Sequence, residues 1–199
     1  MNQKKYFFTL FLFLIFNSLS SSEKFLDQGL SYQIFNLAKE DSFNNSEIII
    51  IKINPNFYNI NLFSADQYKH ENLTVKEWSN KYGLIISVNS GMFQEDYKTN
   101  VGYMKQFSYI NNPHINNYQS IAAFNPKDST KVKFKIYDVE KYNGVLDIKK
   151  IKKIISNYNS IVQNLRLIKR PAENRWTQQQ EKWSEIALGE DINGNMLII

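Results

Sequence analysis

Short runs of β-branched and aromatic residues recur along this chain, and they constrain its fold more than any other feature. Each is of strand length, and turn residues such as Asn54-Pro55-Asn56 separate them. In 57–63, Tyr58, Ile60 and Leu62 alternate with Asn residues, which indicates one core face and one wet face. Strands are predicted at 47–53, 57–63, 84–88 (buried), 120–125, 132–138 and 161–168, and a hairpin around Asn193-Gly194 at 185–199.

Two segments carry helix patterns. Thr74 and Glu77 have capping-box spacing, and Gly83 follows where the helix would end. From Asp147 to Tyr158, lysines and isoleucines repeat at helical spacing, which indicates a helix with a solvated basic face. Because strands and helices mix without regular βαβ order, we predict an α+β fold: a single domain with a mixed, largely antiparallel sheet flanked by helices.

The N-terminus has the pattern of a secretory signal. Lys4 and Lys5 precede an apolar run, Tyr6–Phe16, which is too short to cross a bilayer comfortably, and small polar residues follow at 17–22. We therefore expect a signal peptide at 1–22 and a periplasmic or secreted domain at 23–199 with no stable membrane span after cleavage. The alternative is an uncleaved signal anchor, which would also place the domain outside the cytosol.

Composition excludes several classes of function. The chain has no cysteine, so it has no disulfide framework. Its net charge is +5, but two of the 24 lysines and arginines lie in the signal, and the densest lysine cluster fits a helix face, so nucleic acid is not an expected partner. His70 and His114 lack metal-ligand spacing and are interpreted as surface residues. No metal or cofactor is expected.

The first candidate site is Asn89-Ser90-Gly91, directly after the predicted strand 84–88. A polar side chain at a strand end, followed by glycine, can present an amide and backbone N–H groups to a ligand. The alternative is an ordinary turn in which Asn89 bonds its own backbone.

Polar residues inside the predicted strand 161–168 form a second candidate. Gln163, Asn164 and Arg166 would be costly to bury without partners, so they need either a ligand or structural partners such as a core carboxylate for the arginine.

A third candidate pairs Trp183, which could stack on a sugar face, with Glu185. The alternative is a core tryptophan beside a surface glutamate.

Three segments in order, TVKEWSNKYGLIISVNSGMF at 74–93, KTNVGYMK at 98–105 and IVQNLRLIKRPAENRWTQQQEKWSEIALGEDINGN at 161–195, resemble the phosphodiester glycosidase family. That family includes the enzyme that uncovers mannose 6-phosphate by removing N-acetylglucosamine from its phosphodiester. The likeness covers about residues 45–199 and is greatest to small exported bacterial members.

The resemblance implies hydrolysis of a glycosyl phosphodiester, with a carbohydrate phosphodiester as substrate. The positions that match the family's pocket are Asn89, Gly91, Gly102, Gln163 and Arg166. A departing phosphate needs a cation more than a strong acid. We therefore expect Arg166 to hold the phosphate and Asn89 to orient the sugar. A carboxylate is also expected as base or nucleophile, and Glu185 and Asp191 are the candidates.

The chain departs from the family at two places. Ser90 stands where the family usually has alanine, a change that should fit the same turn. Members also continue into a further strand and a glycine-rich acidic segment, so we expect this chain to be truncated at its C-terminus. The expected function is an exported hydrolase acting on an envelope polymer or exopolysaccharide, and the alternative is a non-catalytic carbohydrate-binding or structural envelope protein.

Overall fold

The computed structural model describes residues 22–36, 47–165 and 186–199. Its strands are β1 (Lys24–Asp27), β2 (Leu30–Asn36), β3 (Glu47–Ile53), β4 (Met104–Gln106), β5 (Tyr109–Asn112), β6 (Ser120–Pro126), β7 (Phe134–Asp138), β8 (Glu140–Tyr142), β9 (Val145–Leu146), β10 (Tyr158–Leu165), β11 (Leu188–Glu190) and β12 (Met196–Ile198). Its helices are α1 (Ala65–Tyr68), α2 (Val75–Tyr82) and α3 (Ile148–Asn157). The predictions for β3, β6, β7, β10, the β11–β12 hairpin, α2 and α3 are confirmed within the described residues.

The strands form two five-stranded sheets and a short ribbon. The first sheet has the order β1-β2-β3-β12-β11, the second has the order β5-β4-β10-β6-β7, and β8 pairs with β9. Every strand pair within them is antiparallel. The α+β class and the antiparallel character are therefore confirmed, although the described residues build two large sheets where the sequence predicts one.

One hydrophobic core lies between the two sheets. Leu30, Ile53 and Met196 contribute from the first sheet, and Phe124 and Val162 contribute from the second. These side chains are at most 7% exposed. Burial of each large apolar side chain contributes roughly 1.5–3 kcal/mol, so this interface is the main reason that the two sheets face each other.

A second core covers the opposite face of the second sheet. Ile151 and Ile154 of α3 are buried there, and the lysines between them are exposed, as the helical pattern predicts. The buried Lys105 on β4 donates from Nζ to the carbonyl of Tyr158 at 2.8 Å and to that of Ile155 at 3.2 Å. It thereby satisfies carbonyls at the end of α3, where a cation is favoured.

The strand prediction for 57–63 is wrong. The predicted faces are present, since Leu62 is buried while Asn59 and Asn61 are exposed, but the segment pairs with no strand. Side-chain amides take the place of the backbone hydrogen bonds that a neighbouring strand would make. Gln106 Oε1 accepts from the Leu62 N–H at 3.2 Å, and Asn125 Nδ2 donates to the Ile60 carbonyl at 2.8 Å. The alternation of apolar and polar residues does not reveal which groups will form hydrogen bonds with the backbone N–H and carbonyl groups.

The prediction of a buried strand at 84–88 is also wrong. This segment has no strand structure, and Ile85 is 70% exposed. It is bound to α2 instead, because the Leu84 N–H donates to the Ser79 carbonyl at 3.0 Å and Ser87 Oγ donates to the Val75 carbonyl at 3.0 Å. Ile86 and Val88 still pack against the inter-sheet core.

Helix α2 begins and ends as the sequence predicts. The Thr74 side chain accepts from the Glu77 N–H, the Glu77 carboxylate accepts from the Thr74 N–H at 2.7 Å, and Gly83 has φ +61°. The hydrogen bonds that the Glu77 carboxylate accepts from the Thr74 N–H and the Thr74 hydroxyl lower the pKa of Glu77. In the part of the chain that the structure describes, no helix has the length and apolar character that a membrane crossing requires.

Candidate functional site

Asn89, Ser90 and Gly91 lie on the irregular segment that follows α2. Asn89 is exposed, and its Oδ1 accepts from the Gly91 N–H at 3.2 Å. This is the local turn that the sequence leaves open as the alternative interpretation. The turn engages the amide oxygen of Asn89, and all three residues line a cavity.

This cavity, called here the Asn89 cleft, has a volume of about 360 Å³. Its aromatic lining comes from Phe63, Trp78, Phe93 and Tyr97. Polar groups that line it include Asn72, Thr74, Asn89, Ser90, Lys98 and Asn100. Aromatic faces beside amides and hydroxyls are the groups that bind sugar rings, and a lysine adds attraction for an anion.

Trp78 belongs to a cluster of aromatic rings at the cleft. Its ring stacks on Tyr82 with a centroid distance of 5.4 Å and packs against Phe63 at 5.5 Å. His70 belongs to this cluster, since its Nε2 lies 2.7 Å from the Tyr82 hydroxyl and it is half-buried. The predicted surface position is confirmed for the exposed His114, whereas His70 is only partly exposed and packs within this cluster.

The turn at 93–100 supplies a further part of the cleft lining. The Gln94 N–H donates to the Thr99 carbonyl at 2.8 Å, and Asp96 Oδ1 accepts from the N–H groups of Lys98 and Thr99. Hydrogen bonds from the Thr99 side chain and backbone, and from Lys98, lower the pKa of Asp96. The carboxylate thus organises the turn, which presents Tyr97 and Lys98 to the cleft.

Gly102 and Gln163, two of the positions that the sequence analysis expected in the pocket, meet away from the cleft lining. A Cβ on Gly102 would lie 1.9 Å from the Gln163 carbonyl oxygen. The Gln163 side chain is fully buried; its Oε1 accepts from the Asn116 N–H at 3.1 Å, and its Nε2 donates to the carbonyls of Asn116 and Tyr118 at 3.0 Å. Gln163 therefore finds backbone partners, which is the structural alternative that the sequence leaves open.

Asp191 organises the turn of the β11–β12 hairpin and does not line the Asn89 cleft. Its Oδ1 accepts from the N–H groups of Asn193 and Asn195, both at 2.9 Å, and its Oδ2 accepts from Asn195 Nδ2 at 2.7 Å. Partial burial acts to raise the pKa of Asp191, but these hydrogen bonds outweigh it and the pKa is lowered.

The remaining predictions fall on other parts of the chain. Arg166, Trp183 and Glu185 lie outside the described residues, as does the side chain of Asn164. The signal segment also lies outside them. In the described ranges, no group of three or more His, Asp or Glu side chains is arranged to hold a metal ion.

Sequence reasoning identified Asn89, Ser90 and Gly91 at this cleft but assigned no role to its aromatic side chains or to Lys98. Trp78 and Lys98 lie at 74–93 and 98–105, two of the three segments that the sequence analysis singled out, and this position was the available indication. Among the described residues that line the cleft, none is aspartate or glutamate. Comparisons of the chain with protein-family models, with curated proteins and with solved structures find no match.

Proposed function

We propose that this chain is exported, binds a sugar phosphodiester in the Asn89 cleft and hydrolyses its glycosyl phosphodiester bond. The observation that carries the proposal is the composition of the cleft, where Trp78, Phe93 and Tyr97 surround amides and one lysine. Aromatic rings can cover the apolar face of a sugar while amides bond its hydroxyl groups. The motif resemblance supplies the reaction class.

Asn89, Lys98 and Arg166 have the main roles in this proposal. Asn89 directs its Nδ2 group to a sugar hydroxyl, since its oxygen is engaged by the Gly91 N–H. Lys98 attracts the phosphate, since it is exposed and lines the cleft. Arg166 is the second phosphate ligand that we propose.

The reaction breaks the bond between the anomeric carbon and the phosphate oxygen. Water adds to the anomeric carbon, its proton passes to a carboxylate, and the electron pair of the broken bond leaves with the phosphate. A cation stabilises that leaving group. Of the two proposed carboxylates, Glu185 is the better base, because both oxygens of Asp191 accept hydrogen bonds and its pKa is lowered.

A second candidate function is carbohydrate binding without catalysis. It is favoured by the cleft lining, which contains no carboxylate among the described residues. A binding protein needs the aromatic and amide groups and no general base.

The experiment that separates the two functions measures binding and turnover with the same ligand, an aryl phosphodiester of N-acetylglucosamine. Lys98→Ala and Trp78→Ala should each weaken binding at least about tenfold, because a charge-assisted bond or an aromatic face is lost. Lys133→Ala, an exposed lysine away from the cleft lining, is the matched control.

Glu185→Gln decides catalysis. Retained binding with abolished hydrolysis supports the enzyme, whereas binding without hydrolysis in the unmodified protein supports the binding function. Equal effects of Lys98→Ala and Lys133→Ala would refute the site. The export proposal is tested separately by fusing residues 1–22 to a reporter that folds only outside the cytosol.

A further inference from the structure

A second cavity, called here the inter-sheet cavity, lies beside the Asn89 cleft and has a different chemistry. Its volume is about 510 Å³, within the range typical of ligand pockets. Its walls include Ile53 and Ile198 of the first sheet and Phe124 and Val162 of the second. Ile60 and Ile86 cover it from the segments 57–63 and 84–88.

The lining of the inter-sheet cavity suits an apolar chain. Packed interiors rarely leave voids much larger than a water molecule, and an apolar space of this size gains dispersion contacts when it accepts an apolar group. The exposed Asn59 and Asn61 supply part of its polar lining and lie on the covering segment 57–63. A sugar would leave its hydroxyl groups without partners against the aliphatic walls.

The two cavities share lining residues. Phe63, Val88 and Ser90 line both of them, so the polar cleft and the apolar space adjoin at these side chains. A ligand bound at Asn89 therefore has an apolar space within reach of its second substituent.

We infer that the ligand is an amphiphile: a sugar phosphodiester whose second substituent is a linear apolar chain that lies in the inter-sheet cavity. The polar half of this inference rests on the proposed function. The apolar half rests on the walls of the inter-sheet cavity.

The test uses the methyl and dodecyl phosphodiesters of N-acetylglucosamine 1-phosphate, titrated calorimetrically into the mature protein below the micellar concentration. Because each buried methylene adds severalfold to affinity, the dodecyl ester should bind at least about 100-fold more tightly than the methyl ester. Ile86→Trp, which fills the cavity, should remove most of this advantage and leave methyl ester binding unchanged. Ile192→Trp, at a fully exposed position, is the control.

Thermal unfolding of each variant verifies folding, and Ile60→Trp fills the cavity from the other covering segment if Ile86→Trp does not fold. Equal affinity for the two esters would overturn this inference and leave the proposed function standing. A third outcome is that the protein binds dodecyl phosphate but not the methyl ester, and that Ile86→Trp abolishes this binding. That result would refute the sugar site and support the apolar site. Binding of no probe would overturn both.

Discussion

The backbone carbonyl of Gln163 lies where a side chain on Gly102 would have to be, because a Cβ at residue 102 would come within 1.9 Å of that oxygen. This contact joins the segment that precedes β4 to β10. The neighbouring Gln163 N–H donates to the Tyr103 carbonyl at 2.8 Å, so the two backbones cannot separate without losing a buried hydrogen bond.

Gly102→Ala should therefore destabilise the protein by about 3 kcal/mol or more, because the clash is with backbone and not with a flexible side chain. The free energy of unfolding, measured in urea, checks this expectation. Gly189→Ala is the matched control, since a Cβ there meets only the Leu197 side chain at 3.3 Å, and it should cost much less. Equal losses would contradict the contact.

Gln163→Leu should cost about 3 kcal/mol, because it keeps the side-chain volume but leaves buried N–H and carbonyl groups of Asn116 and Tyr118 without partners. Gln33→Leu, at a half-buried position on β2, should have little effect. If Gln163 were instead a ligand group, Gln163→Leu would reduce sugar affinity while leaving the unfolding free energy unchanged.

Asp191 should make stability depend on acid pH. Its pKa in the folded protein lies below the ordinary value of 3.8, so its contribution is complete above that value and is lost as pH falls through the lower, folded pKa. The carboxylate is partly exposed, so solvent screening limits the effect to less than about 1 kcal/mol. The unfolding free energies of the wild type and Asp191→Asn should converge between pH 5 and pH 2; a gap that widens on acidification would contradict the assignment.

Glu190 links the two sheets at one edge. Its Oε2 accepts from the Ile136 N–H of β7 at 3.0 Å, and its Oε1 pairs with Lys135. Glu190→Ala should lower the unfolding free energy by about 1–2 kcal/mol, and Glu190→Gln, which keeps an acceptor for the N–H, should restore part of it. Equal losses in both variants would show that the charge pair and not the backbone contact matters.

Much of the local structure could be predicted because its causes are local. The capping residues of α2, the lysine and isoleucine spacing of α3 and the Asn193-Gly194 turn each act within a few residues of the chain. The strand predictions at 57–63 and 84–88 are wrong because the causes of the structure there are not local. There the partners are distant in sequence, such as Asn125 for Ile60, and alternation cannot identify them.

The sequence by itself determined the α+β class, six of the twelve described strands and the two main helices, and it indicated Asn89, Ser90 and Gly91 as candidate site residues. Hydrophobic periodicity and capping chemistry carry that information, since both are read over short windows. Only the tertiary structure decided that two sheets face each other and that Trp78 and Lys98 line the same cleft as Asn89. These contacts join segments that are distant in sequence. They depend on packing and on buried hydrogen bonds between those segments, which a short stretch of sequence does not specify.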